Sequence, residues 1–204
     1  MSEVGHAGGG AKNERSTRRD VLAALSAFGA AGVVPSLLPS PAAAEPDRER
    51  PKEGDLFVAQ ENKSDSESAL PLKPADIPLG GPPVMAWPFD AAGNVIRKGS
   101  RLNKVLLLRL DPATLEGVTR ERAAEGIVAY SAICPHAGCE VSKWVADQQI
   151  FECSCHYSHY NPRDAAAVLH GPAPRALAAL PLKIVDGNLA VAKPFTGRVG
   201  IVPT

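Results

Sequence analysis

Aromatic residues make up only 5% of the 204 residues, whereas Pro (19) and Gly (18) are plentiful. That balance argues against a helical bundle and fits short strands joined by many turns. Neither sign of charge is in excess, since Lys plus Arg and Asp plus Glu both number 22, so there is no electrostatic ground for a nucleic-acid or polyanionic partner. Cysteine is absent outside positions 134–155, where all four lie. A disulfide framework would scatter its cysteines along the chain; four in one stretch mark a local site. The chain also lacks an internal repeat, a phosphate-binding glycine loop, a nucleophile motif and a general-base pair, so catalysis by the isolated chain is not expected.

What is present begins with an address. Residues 1–15 mix Gly, Ser and charge without apolar period and read as a disordered leader. Arg18 and Arg19 then stand directly before the apolar run Val21–Val34, followed by Pro35 and the small residues Ser40-Pro41-Ala42-Ala43-Ala44. This resembles a twin-arginine export signal with cleavage after Ala44, which places the mature protein in the periplasm. The competing reading is an uncleaved anchor through residues 21–44, which would hold the protein on the inner membrane facing the periplasm. Against it, the run before Pro35 rises only about 21 Å as a helix, short of the roughly 30 Å hydrocarbon core.

Residues 45–68 read as a polar, flexible linker, with folding resuming near Gly54, and residues 69–204 as the main domain. Short apolar runs at Leu56–Ala59, Lys104–Leu110, Gly126–Ile133, Gln149–Cys153 and Lys183–Ala192 predict strands. In the last, Asp186-Gly187 is the dipeptide of a tight hairpin. Pro112–Ala124 reads as one short helix, and residues 134–174 as a loop-rich insertion. The fold class expected is mostly β, a small antiparallel sandwich or barrel.

Within the insertion, Cys134-Pro135-His136-Ala137-Gly138-Cys139 is followed by Cys153-Ser154-Cys155-His156-Tyr157-Ser158. Read as ligands, Cys134, His136, Cys153 and His156 supply one thiolate and one imidazole from each of two loops. An asymmetric 2Fe-2S centre needs this set, with both cysteines on one iron and both histidines on the other. A structural zinc site is the alternative for the same four donors, but zinc has no use for Cys139 and Cys155. Those two can pair in an oxidising compartment and clamp the loops together. His159 and His170 read as loop or solvent-facing residues, and Trp87 and Trp144 as packing.

The two boxes C-x-H-x-G-C and C-x-C-H-x-S resemble those of the Rieske family over about residues 126–192, with the cluster-binding part at about 130–175. The run Cys153 to Asn161 is similar to the high-potential type found in cytochrome bc complexes, and Gly171-Pro172-Ala173-Pro174 to that type's proline loop. Tyr157 stands where the family usually has a small residue, and Ser154 where proline is common. The resemblance implies a β fold with an inserted cluster-binding subdomain, one 2Fe-2S cluster, and hydrogen bonds from Ser158 to a bridging sulfide and from Tyr160 to a ligand thiolate. It further implies a one-electron carrier between a quinol and a cytochrome. The alternative it offers is the small subunit of a periplasmic molybdenum oxidase such as arsenite oxidase, with that enzyme's catalytic chain as donor.

Overall fold

The computed structural model describes residues 45–61 and 69–201. The proposed signal or anchor, residues 1–44, lies outside the described residues. Eleven strands occur among those described: β1 (Leu56–Ala59), β2 (Val84–Asp90), β3 (Val95–Ile96), β4 (Val105–Arg109), β5 (Ile127–Ser131), β6 (Lys143–Val145), β7 (Ile150–Cys153), β8 (Ser158–Asn161), β9 (Ala167–His170), β10 (Leu182–Val185) and β11 (Asn188–Val191). One short helix, α1 (Gly117–Arg122), precedes β5. No helix among the described residues is long and apolar enough to cross a membrane.

The larger sheet runs in the order β10-β11-β1-β2-β4-β5, with β3 on β2, and its named strand pairs are antiparallel. Beyond β5 the chain at 178–180 closes the curl: Ser131 N–H donates to Ala178 O at 2.8 Å and Leu180 N–H to Ala129 O at 2.9 Å. The smaller sheet, β6-β7-β8-β9, is a meander inserted between β5 and β10. Its four strands correct the expectation of a loop-rich insertion. One of them, β7, stands where the run Gln149–Cys153 predicts a strand; β6, β8 and β9 are hard to read because they have only three or four residues, with Lys143 in β6, Ser158, His159 and Asn161 in β8 and His170 in β9 interrupting any apolar run.

Strands β4 and β5 show why some runs here are apolar without alternation. Side chains of a strand point to opposite faces in turn, and both faces are covered. Val105, Leu107, Ile127 and Ala129 face one core with Phe57, Leu189 and Val191. Leu106, Leu108, Val128 and Tyr130 face another that reaches Phe151 and Tyr160 of the smaller sheet. The β4–β5 pair is thus a wall shared by the barrel-like sheet and the inserted subdomain, and it fixes one against the other.

Two other expectations are corrected. Pro112–Ala124 is not one helix: a 3-10 turn, Pro112–Thr114, breaks before α1. The segment 45–68, expected to be a linker in which folding resumes near Gly54, holds β1 where the run Leu56–Ala59 predicts it, with Phe57 and Val58 fully buried, and departs from the expectation in the residues before that strand. Its earlier part is a strap held by Arg97, which is 1% exposed. The guanidinium donates to Asp55 (2.6 and 3.1 Å), Asp90 (3.3 Å), Glu49 (3.0 Å) and the carbonyl of Pro46 (3.0 Å). Asn103 adds a bond from Nδ2 to Glu49 O at 2.7 Å. Composition made this stretch look like a linker; a buried cation with three carboxylate partners makes it part of the domain. The Asp186-Gly187 hairpin stands as expected, with φ of 50° and 77° at the two turn residues, as a type I′ turn requires.

Candidate metal centre

Two loops at one end of the inserted sheet carry the boxes. The first leaves β5 and turns at once: Gly138 N–H donates to Cys134 O at 3.0 Å and Cys134 N–H to Cys139 O at 2.8 Å. Gly138 sits at φ 72°, where a side chain would be strained. The second leaves β7, and Tyr157 N–H returns to Cys153 O at 2.9 Å with Tyr157 itself left-handed at φ 57°. Cys139 and Cys155 are joined in a disulfide that ties one loop to the other across 6.5 Å between Cα atoms.

Cys134 and Cys153 are free thiols, each 1% exposed. The Cys153 thiol is pushed up by burial and further by the neighbouring Cys134, although backbone N–H groups of Cys155 and His156 pull the other way. The sulfurs of Cys139, Cys153 and Cys155 all lie within 4.8 Å. Two of these are bonded to each other, however, so only Cys153 among them remains a ligand. The rings of His136 and His156 meet edge to face with centroids 4.6 Å apart. His136 Nδ1 is buried and has no hydrogen-bond partner, a costly state for an imidazole nitrogen unless it binds something. Two buried free thiols, an orphaned ring nitrogen and a second, exposed imidazole beside it suit a centre with mixed sulfur and nitrogen ligands.

The surrounding groups are fixed from three sides. Tyr160 is fully buried, and its hydroxyl lies 3.1 Å from Cys134 Sγ. Burial, then the Cys134 sulfur, pushes the phenol far above its ordinary range, so it stays protonated and can donate. Ser158 Oγ accepts from Ala173 N–H at 3.2 Å, which leaves the hydroxyl hydrogen free to point elsewhere. That bond also pins the loop Gly171-Pro172-Ala173-Pro174. A Cβ on Gly171 would stand 2.6 Å from Ser158 Cα, and its φ is +92°.

Sequence reasoning missed Glu152 and the proline-loop bond to Ser158. Glu152 is 6% exposed and accepts from Lys143 at 2.7 Å, with His159 Nε2 2.8 Å from its other oxygen. Only strand register reveals these neighbours, and register was not legible in strands this short. Trp144 packs on Phe151 at 5.6 Å and Lys104 lies over Trp87 at 5.1 Å, so both indoles are packing residues as expected.

The family model of the Rieske 2Fe-2S domain matches residues 110–181. A Rieske iron-sulfur subunit of the cytochrome bc1 complex from Streptomyces lividans is 33% identical over 137 residues, covering 64% of this chain and 78% of that protein. A putative respiratory nitrate reductase subunit Rieske from Haloferax mediterranei is 38% identical over 106 residues, covering 51% of this chain and 47% of its own. The corresponding bc1 subunit of Mycobacterium bovis is 30% identical over 152 residues, covering 67% of this chain and 35% of its own. The chain thus spans half or less of two of these three relatives. It is an iron-sulfur protein by its domain, and it belongs to the Rieske family. Its cofactor is a 2Fe-2S cluster.

Proposed function

We propose that this chain is a one-electron carrier whose 2Fe-2S cluster is held by Cys134, His136, Cys153 and His156. The orphaned, buried Nδ1 of His136 beside two buried free thiols carries this reading. The bound cluster would take up and release single electrons, at a potential set by its ligands and their hydrogen bonds. The chain's own residues do the rest. Tyr160 holds a proton toward Cys134 Sγ, Ser158 offers a hydroxyl hydrogen, and the disulfide keeps the two ligand loops at fixed separation. Both hydroxyls stabilise added negative charge, which supports the upper half of the Rieske range of about −150 to +300 mV. His136 binding through Nδ1 leaves its Nε2 to hold a proton, and exposed His156 can exchange one with solvent.

The donor we favour is a quinol and the acceptor a cytochrome, in line with the bc1 subunits among its relatives. A second reading makes the chain the Rieske subunit of a different respiratory oxidoreductase, a molybdenum oxidase for example. The relative named as a nitrate reductase subunit favours it. Residues 1–44 are proposed as a twin-arginine signal that delivers the folded protein to the periplasm, either released or held at the inner membrane by residues 21–44.

Three experiments test this. The midpoint potential, followed against pH, should fall at alkaline values if imidazoles that lose protons are ligands; a flat line contradicts histidine ligation. Replacing both arginines, Arg18→Lys with Arg19→Lys, should leave the protein in the cytoplasm; unchanged recovery from periplasm or membrane would overturn the export assignment. Co-purification with a large catalytic chain, rather than with a cytochrome b, would select the second reading.

A further inference from the structure

Lys143, Glu152, His159 and His170 form a row across all four strands of the smaller sheet. Lys143 is the Cα partner of Glu152, Glu152 of His159, and His159 of His170. Directly opposed residues project from the same face, so this face carries an ammonium, a carboxylate and two imidazoles in sequence. The row runs from shelter to solvent in its acceptors: Glu152 is buried, His159 partly buried and His170 exposed.

Glu152 sits between Lys143 Nζ and His159 Nε2, at 2.7 and 2.8 Å. A carboxylate held by an ammonium is an acceptor, so His159 donates from Nε2 and keeps its lone pair on Nδ1. This is the arrangement in which an outer carboxylate orients a metal-binding histidine. The neighbouring His170 ring is 5.5 Å away between centroids and inclined by 53°. Two imidazoles on one ion at about 2.0–2.1 Å and near-tetrahedral angles would have centroids roughly 5 Å apart, close to the spacing of this pair.

We propose that His159 and His170 form a second metal site, separate from the cluster, that takes a divalent transition ion of the imidazole-preferring kind such as Zn2+ or Cu2+. Glu152 is its positioning residue. Water completes the coordination on the exposed side, which makes this a site of moderate affinity occupied according to the free ion. Softer, all-thiolate chemistry has no part in it.

The test uses the cluster-loaded protein. Zn2+ alone is titrated by calorimetry, and Cu2+ alone is followed by EPR, with iron content and the visible spectrum recorded throughout. One ion should bind per chain, the Cu2+ signal should show coupling to two nitrogens, and the cluster spectrum should remain. His170→Gln, at an exposed position, and His159→Gln should each weaken binding by about tenfold or more, and Glu152→Gln by roughly 10–100-fold. No saturable binding, equal affinity in His170→Gln, or release of iron in step with Zn2+ uptake would overturn the proposal.

Discussion

Tyr160 and Ser158 set the electrostatic surroundings of the proposed ligands, and each can be tested by removing one hydroxyl. A hydrogen bond to a charged group contributes about 1.5–3 kcal/mol. If reduction strengthens the bond by a fraction of that, about 1 kcal/mol, the potential changes by roughly 40 mV for one electron. Tyr160→Phe and Ser158→Ala should therefore each lower the midpoint potential by tens of millivolts while the cluster stays bound, as a redox titration would show. An unchanged potential in both would remove their assigned role. Gly171→Ala should destabilise the protein by on the order of 1–3 kcal/mol in thermal unfolding, because a Cβ there meets the backbone of Ser158 and φ is +92°. At this scale the sequence was highly legible. The spacing of Cys134, His136, Cys153 and His156 singles out the proposed donors, because two short boxes are read without knowing the fold. Glu152 was not legible, since its partners Lys143 and His159 come from neighbouring strands.

The elements divide by how local their causes are. The β10–β11 hairpin was readable because Asp186-Gly187 carries the turn in two residues. The pair β4–β5 was readable as strands, yet its continuous apolar character gained its reason only from the two cores it separates. The strap at 45–55 was misread because its charged residues look like linker until Arg97, more than 40 residues on, is placed among them. Arg97→Ala would leave Asp55 buried without its cation, and the loss expected is about 3–5 kcal/mol in denaturant unfolding. A loss below about 1 kcal/mol would mean that the strap is not held by this residue. Glu49 adds a pH term. Its carboxyl is held below the ordinary 4.5, first by the bond from Lys52 and then by Arg97, against a desolvation effect that raises it. A group with a depressed folded value stabilises fully above its unfolded value, and that stabilisation is lost as pH falls through the folded one. Wild-type protein should thus lose stability below about pH 4.5 more steeply than Glu49→Gln, which lacks this titration; parallel curves would contradict the assignment.

For the molecule as a whole, the barrel-like sheet is a platform and the inserted meander is the working part. The shared β4–β5 wall holds the two together, and the disulfide between Cys139 and Cys155 holds the loops that the platform presents. In the proposed centre these loops carry two irons bridged by sulfide, with nitrogen ligands on one side. Iron, acid-labile sulfide and zinc analysis on the purified protein, together with the low-temperature EPR spectrum of its reduced form, tests that proposal most directly. About two irons and two sulfides per chain are expected, with an EPR signal from the reduced cluster. Zinc in place of iron, or iron without sulfide, would contradict the proposal.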